Sequence, residues 1–209
     1  MNIRALAGVQ VLLMAATPGH AGVGEETTLT LWVRGYPVTR GGTVSACSLE
    51  YNAAGRDFIY KEGGTFGVVG NLTVNRVMRD GQPVMFASLK VTLNDIVGER
   101  QVPSAPVELH VVAADGTIMN ERSGEAFNSD MPGSRVQAFL IRDGFERVMI
   151  GALEKRRLTI AFNRRAGGTD VHVPIDLTVK EVDLETGSVS HSDEMVGAFA
   201  SCLKHIAPE

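Results

Sequence analysis

The stretch Val84-Met85-Phe86-Ala87-Ser88-Leu89-Lys90-Val91-Thr92-Leu93-Asn94-Asp95-Ile96 decides how the rest of the chain reads. Met85, Ala87, Leu89, Val91 and Leu93 fall on one side of a two-residue repeat, and Ser88, Lys90, Thr92 and Asn94 on the other. That is the pattern of a strand with one face in a core and one toward water. Working backward, Leu72 and Val74 lead into the turn pair Asp80-Gly81, and Val44 to Tyr51, with Cys47, predicts another strand. Asp57 to Lys61 reads as a short aromatic strand that ends at Gly63-Gly64. Leu29, Leu31 and Val33 alternate with Thr28, Thr30 and Trp32 ahead of Gly41-Gly42. Working forward, Pro103 and Pro106 bracket a linker, and Val107, Leu109 and Val111 alternate before Asp115-Gly116 turns into Thr117–Met119. Short strands broken by glycine pairs, with no crossover helices between them, predict an antiparallel β-sandwich or barrel-like body.

The period changes after the strand Arg135–Ile141. Phe145, Val148, Met149, Ala152 and Leu153 repeat at helical spacing. Asp143, with Glu146 three residues on, suits the helix start, and Lys155 and Arg156 suit its end. Leu158, Ile160 and Phe162 form a strand, Gly167-Gly168 a turn, and Val171 to Val179 one long partner strand in which Pro174 suggests an edge or a bulge. A second helix follows, with Ser192 as cap and Met195, Val196, Phe199, Leu203 and Ile206 as its apolar stripe. The fold class is therefore mainly β, closing with a strand–helix–strand–strand–helix portion (α+β). The boundary lies within 97–106, which gives a β-rich part over 22–100 and a β-rich part with two helices over 101–209. A single domain over 22–209 is the alternative.

Composition narrows the function classes. The chain has 209 residues, 44% of them hydrophobic, which is enough to bury a real core. A net charge of −4 argues against a general nucleic-acid binder. Arg4 is the only charge in the first 24 residues and precedes the apolar run Ala5–Ala16 and the breaker Thr17-Pro18-Gly19. This is the order of a secretory signal peptide, predicted over 1–21 with cleavage after Ala21. Its apolar run is shorter than the ~20 residues a membrane span needs. The expected location is periplasmic or secreted. In that oxidising setting an even cysteine count predicts a disulfide between Cys47 and Cys202, with two buried free thiols as the alternative.

The closing segment, LEKRRLTIAFNRRAGGTDVHVPIDL followed by MVGAFASCLKHI, resembles the ending of small periplasmic proteins of the invasion-associated locus B family. It differs from them in lacking a second, closely spaced cysteine pair. The resemblance implies a secreted β-rich protein with a late helix packed on a sheet, serving as an exported accessory protein.

Several catalytic signatures are missing from the sequence: no Gly-x-Ser-x-Gly elbow, His-Glu-x-x-His or Walker loop occurs. Gly63, Gly64, Gly67 and Gly70 lie between strands, where no helix start could complete a phosphate cradle. His110 and His172 are expected on outward strand faces, and His191-x-Asp193 lacks the spacing of a metal site. Neither a cofactor nor a metal is expected. Trp32, on the face opposite Leu31, would suit a carbohydrate or protein contact, or else a second buried face.

Charge is organised in one place. Residues 135–165 hold eight basic side chains against three acidic ones, between acidic flanks. Lys155, Arg156, Arg157, Arg164 and Arg165 are the candidate contact for an anionic partner, the alternative being neutralisation of the flanks. The function expected is an exported, non-enzymatic accessory or binding protein of the bacterial cell envelope. Its partner would be a protein or an anionic envelope component, with peripheral membrane contact included and nucleic acid excluded. The alternatives are a secreted hydrolase with an acidic catalytic pair and a small-ligand carrier.

Overall fold

In a computed structural model, residues 28–113, 116, 118–119, 126–129, 131–141 and 143–207 are described. The segment read as a signal peptide lies outside them. The protein is mainly β, with 59% strand and 14% helix, and its sheets are antiparallel. The expectation of a sandwich or barrel-like body resolves toward open layers: no closed barrel forms among the described residues.

Four long strands, β1 (Thr28–Arg40), β2 (Thr43–Asp57), β3 (Gly64–Arg79) and β4 (Gln82–Val97), form a meander. The meander continues through β8 (Ser134–Leu140) and β7 (Phe127–Asn128), and β5 (Arg100–Pro103) pairs with the end of β4. The hairpin turns Gly41-Gly42 and Asp80-Gly81 have positive φ at both residues, the conformation that matches the twist of paired strands. A second sheet has the order β10 (Val171–Asp176), β9 (Arg157–Asn163), β6 (Glu108–Val112). Pro174 therefore sits on an edge strand, where its missing N–H costs no ladder bond. Helices α1 (Asp143–Glu154) and α2 (Glu194–Ile206) complete the layer that covers the large sheet.

The core is built from the alternation visible in the sequence. Leu49, Tyr51 and Ala53 of β2, Phe66, Val68 and Leu72 of β3, and Ala87, Leu89, Val91 and Leu93 of β4 are fully buried. They meet Leu158, Ile160 and Phe162 of β9, Val171, Val173 and Ile175 of β10, and the apolar stripes of both helices in one continuous cluster. That cluster takes residues from both sides of position 100. The opposite face of the large sheet carries half-buried polar residues, with Glu50, Asn71 and Lys90 aligned across three strands.

Four local readings change. Asp57–Lys61 is not a strand: β2 runs unbroken to Asp57, whose Oδ1 accepts the amides of Ile59 (3.1 Å) and Tyr60 (2.8 Å) and turns the chain. Leu31 and Val33 do not share a face, because a bulge between Thr30 and Trp32 reverses the alternation. Leu31 consequently joins a smaller cluster with Ala54, Val179 and Val182, and Trp32 packs against it from the side. The long strand Val171–Val179 breaks at Asp176, whose Oδ1 accepts the amide (2.9 Å) and hydroxyl (2.7 Å) of Thr178. The chain then forms a separate hairpin of β11 (Val179–Val182) and β12 (Val189–His191). The boundary stretch expected at 97–106 contains a strand, β5, which ends at Pro103.

Candidate functional site

The basic residues do not converge. Arg164, just past β9, is inside the protein with its side chain 8% exposed. Its Nε meets Asp57 Oδ2 at 2.6 Å, its Nη2 meets Asp95 Oδ1 at 2.8 Å, and its Nη1 donates to Ser104 Oγ at 2.7 Å. Lys61 Nζ lies 3.1 Å from Asp95 Oδ2, so two carboxylates face two cations. Arg164 also lies over the rings of Phe162 (5.5 Å) and Phe66 (6.0 Å). This network ties the small sheet to the large one. Its signal in the sequence was strand parity: Asp57 and Asp95 continue the inward rows Tyr51–Ala53 and Val91–Leu93, and carboxylates there require a buried cation.

The other candidates are dispersed. Arg156 ends α1 with φ +54°, donates to the Leu153 carbonyl and pairs with Asp193 at 2.8 Å. Lys155 and Arg157 are exposed, and Arg165 stacks 5.8 Å from the Tyr60 ring. Arg157 is the first of the seven residues of β9 and Arg164 follows the last, so the two are about 23 Å apart at the rise of extended chain. The helix cap expected of Asp143 involves a side chain outside the described residues.

His110 was expected on an outward face. It is on the face away from the main core, as alternation requires, but it is buried, with Nε2 3.6 Å from Asp170 Oδ1. The Asn163 amide donates to Asp170 Oδ1 at 3.3 Å and also to the Glu108 carboxylate. His172 is exposed, and His191 Nδ1 is 2.8 Å from Thr178 Oγ1. Among the described residues no three His, Cys, Asp or Glu side chains are placed to hold a metal ion. Trp32 borders a cleft of about 410 Å³, where Arg34 covers its ring at 4.9 Å. Tyr36, which also lines the cleft, donates to Glu50 at 2.5 Å; burial, then this bond, raises the Tyr36 pKa above the ordinary phenol value.

The disulfide and α2 build the remaining feature. Cys47 and Cys202 are bonded, with Cα atoms 5.8 Å apart, and hold α2 against β2. Val196, Phe199, Cys202 and Ile206 face the core. Ser192 acts one position earlier than a formal cap, its hydroxyl accepting the Glu194 amide at 3.1 Å. At Gly35 the strand passes so close that an added Cβ would lie 2.3 Å from the Met195 carbonyl oxygen.

Both helices line a groove of about 750 Å³. Its floor is Val74 of β3 with Pro83 and Met85 of β4. One wall is Ile141 with Phe145, Met149, Ile150 and Leu153 of α1, and the other is Ala200, Leu203 and Ala207. Glu146 and Lys204 are the charged residues that line it, and both are exposed. Its size is that of a small-ligand site, and its lining is hydrocarbon and thioether. Periodicity had assigned Phe145, Met149, Leu153 and Leu203 to the core, with nothing to show that the two apolar stripes would part.

No family model, curated protein or solved structure matches this chain.

Proposed function

We propose that the chain is an exported, non-enzymatic binding protein of the bacterial cell envelope, and that the groove between α1 and α2 is its binding element. The groove carries this reading: an apolar concavity of ligand size, with Ile150 48% exposed at its wall. The disulfide supports the export half, since such bonds persist in oxidising compartments. Asp57 and Asp95 are inward carboxylates of the kind a hydrolase would need, but both are bound to Arg164. Lys155 and Arg157, exposed at the far end of α1, remain available to an anionic envelope surface.

Two measurements test this. The full chain expressed in a Gram-negative host should be released by osmotic shock, with a mass matching cleavage after Ala21. The released protein should enhance the fluorescence of an anilinonaphthalene dye saturably, and Ile150→Glu should abolish the enhancement while leaving the circular dichroism unchanged. Retention in the cytoplasm, or dye binding indifferent to Ile150→Glu, would overturn the reading. A second reading, the small-ligand carrier, is favoured by the same groove because its volume suits one small molecule.

A further inference from the structure

We infer that the groove holds the hydrocarbon chain of a single-tailed anionic amphiphile of the long-chain carboxylate class, an inference that rests on the groove being the binding element. Apart from its two charged residues, the lining side chains offer no hydrogen-bonding group. A polar ligand segment would lose its water partners there without replacement, whereas a hydrocarbon chain has none to lose. Met85 and Met149, on floor and wall, are unbranched and adaptable, and suit a flexible chain better than a rigid ring system.

Charge around the mouth sets the head group. Lys204 lines the rim from α2. Arg76 lies two residues beyond Val74 on the same face of β3 and directly across from Met85 of the groove floor. Both cations are exposed, and neither has an ion-pair partner among the described residues. Glu146 on the opposite wall is the one lining acid. Two cations against one anion favour a carboxylate head, held at the Lys204–Arg76 side with the chain running down between the helices.

The experiment is titration calorimetry of the mature protein with octanoate, decanoate and dodecanoate below their micellar concentrations, with dodecanol and dodecyltrimethylammonium as head-group controls. Dodecanoate should bind one per chain, and each added methylene should tighten binding by up to about fourfold, the equivalent of ~0.8 kcal/mol per buried CH₂. Dodecanol should bind at least fivefold more weakly. The double variant Arg76→Glu/Lys204→Glu should weaken dodecanoate at least tenfold and leave dodecanol unchanged, while Ile150→Glu should weaken both. Absence of saturable dodecanoate binding, no dependence on chain length, or equal affinity for dodecanol or the cationic amphiphile would overturn the inference. If the dye still reports an Ile150-dependent groove that dodecanoate does not displace, this inference falls and the binding-element reading stands.

Discussion

The long strands β2, β3 and β4 end in opposite ways. At the end that turns through residues 58–63, charge is brought inside and neutralised: Asp57 is fully buried and Arg164 reaches it at 2.6 Å. At the end that turns through Asp80-Gly81, apolar surface is left without cover between two helices, of which α2 is held to β2 by the disulfide. The first end spends its buried charge on joining the two sheets. The second keeps a concavity that the fold does not need for its own closure. The buried charge cluster is thus part of the scaffold, and the apolar groove is the surface on which the proposed function rests.

Breaking the closed end should have the largest effect. Arg164→Ala strands two inward carboxylates, of which Lys61 can serve only Asp95, and should cost roughly 3–5 kcal/mol in urea unfolding. Less than 1 kcal/mol would mean that water reaches the pair. Next comes the staple of the open end: the Cys47→Ser/Cys202→Ser protein should lose about 2–5 kcal/mol, and reduction of the parent should match it. Gly35→Ala probes the same end without touching sulfur. Its Cβ would strike the Met195 carbonyl and the Phe199 Cβ, so a loss of about 1–3 kcal/mol is expected, with faster hydrogen exchange in α2 than in β4.

Between the two ends, Tyr51 has a buried hydroxyl without a hydrogen-bond partner among the described residues, and burial drives its pKa far above the ordinary phenol value. Tyr51→Phe should be neutral or stabilising by up to about 1 kcal/mol, because it removes an unpaired polar atom; a loss above that would reveal a partner. The smallest effect belongs to the β11–β12 turn. The Thr186 side chain and the amides of Glu185 and Thr186 lower the Asp183 pKa. Because that pKa is depressed on folding, its contribution is present at neutral pH and lost as the pH falls below about 4. The Asp183→Asn protein should lack that part of the acid dependence, read as a smaller drop in melting temperature on acidification than the parent shows.

How much of this was legible varies by element and for a physical reason. The β4 alternation and the helical stripes of α1 and α2 appear in the sequence because burial acts on every second residue of a strand and every third or fourth of a helix. The bulge at Leu31 and the break at Asp176 do not, since each depends on which neighbour the strand pairs with or leaves. Lys155, Arg156, Arg157, Arg164 and Arg165 are adjacent in sequence as charges, yet one is buried, one ends a helix, one stacks on Tyr60 and two face solvent.

By itself, then, the order of residues determined a β-rich chain with two late helices and an inward parity for Cys47 and for the apolar row of β4. These are local consequences of side-chain period. Tertiary structure alone decided that Arg164 is the counter-charge for both aspartates, reached across about 107 and 69 residues of chain. It alone decided that the stripes of α1 and α2 leave a groove of about 750 Å³ between them over β3 and β4. Periodicity reports which face a residue seeks to bury; whether another element arrives to cover that face is set by the path of the whole chain.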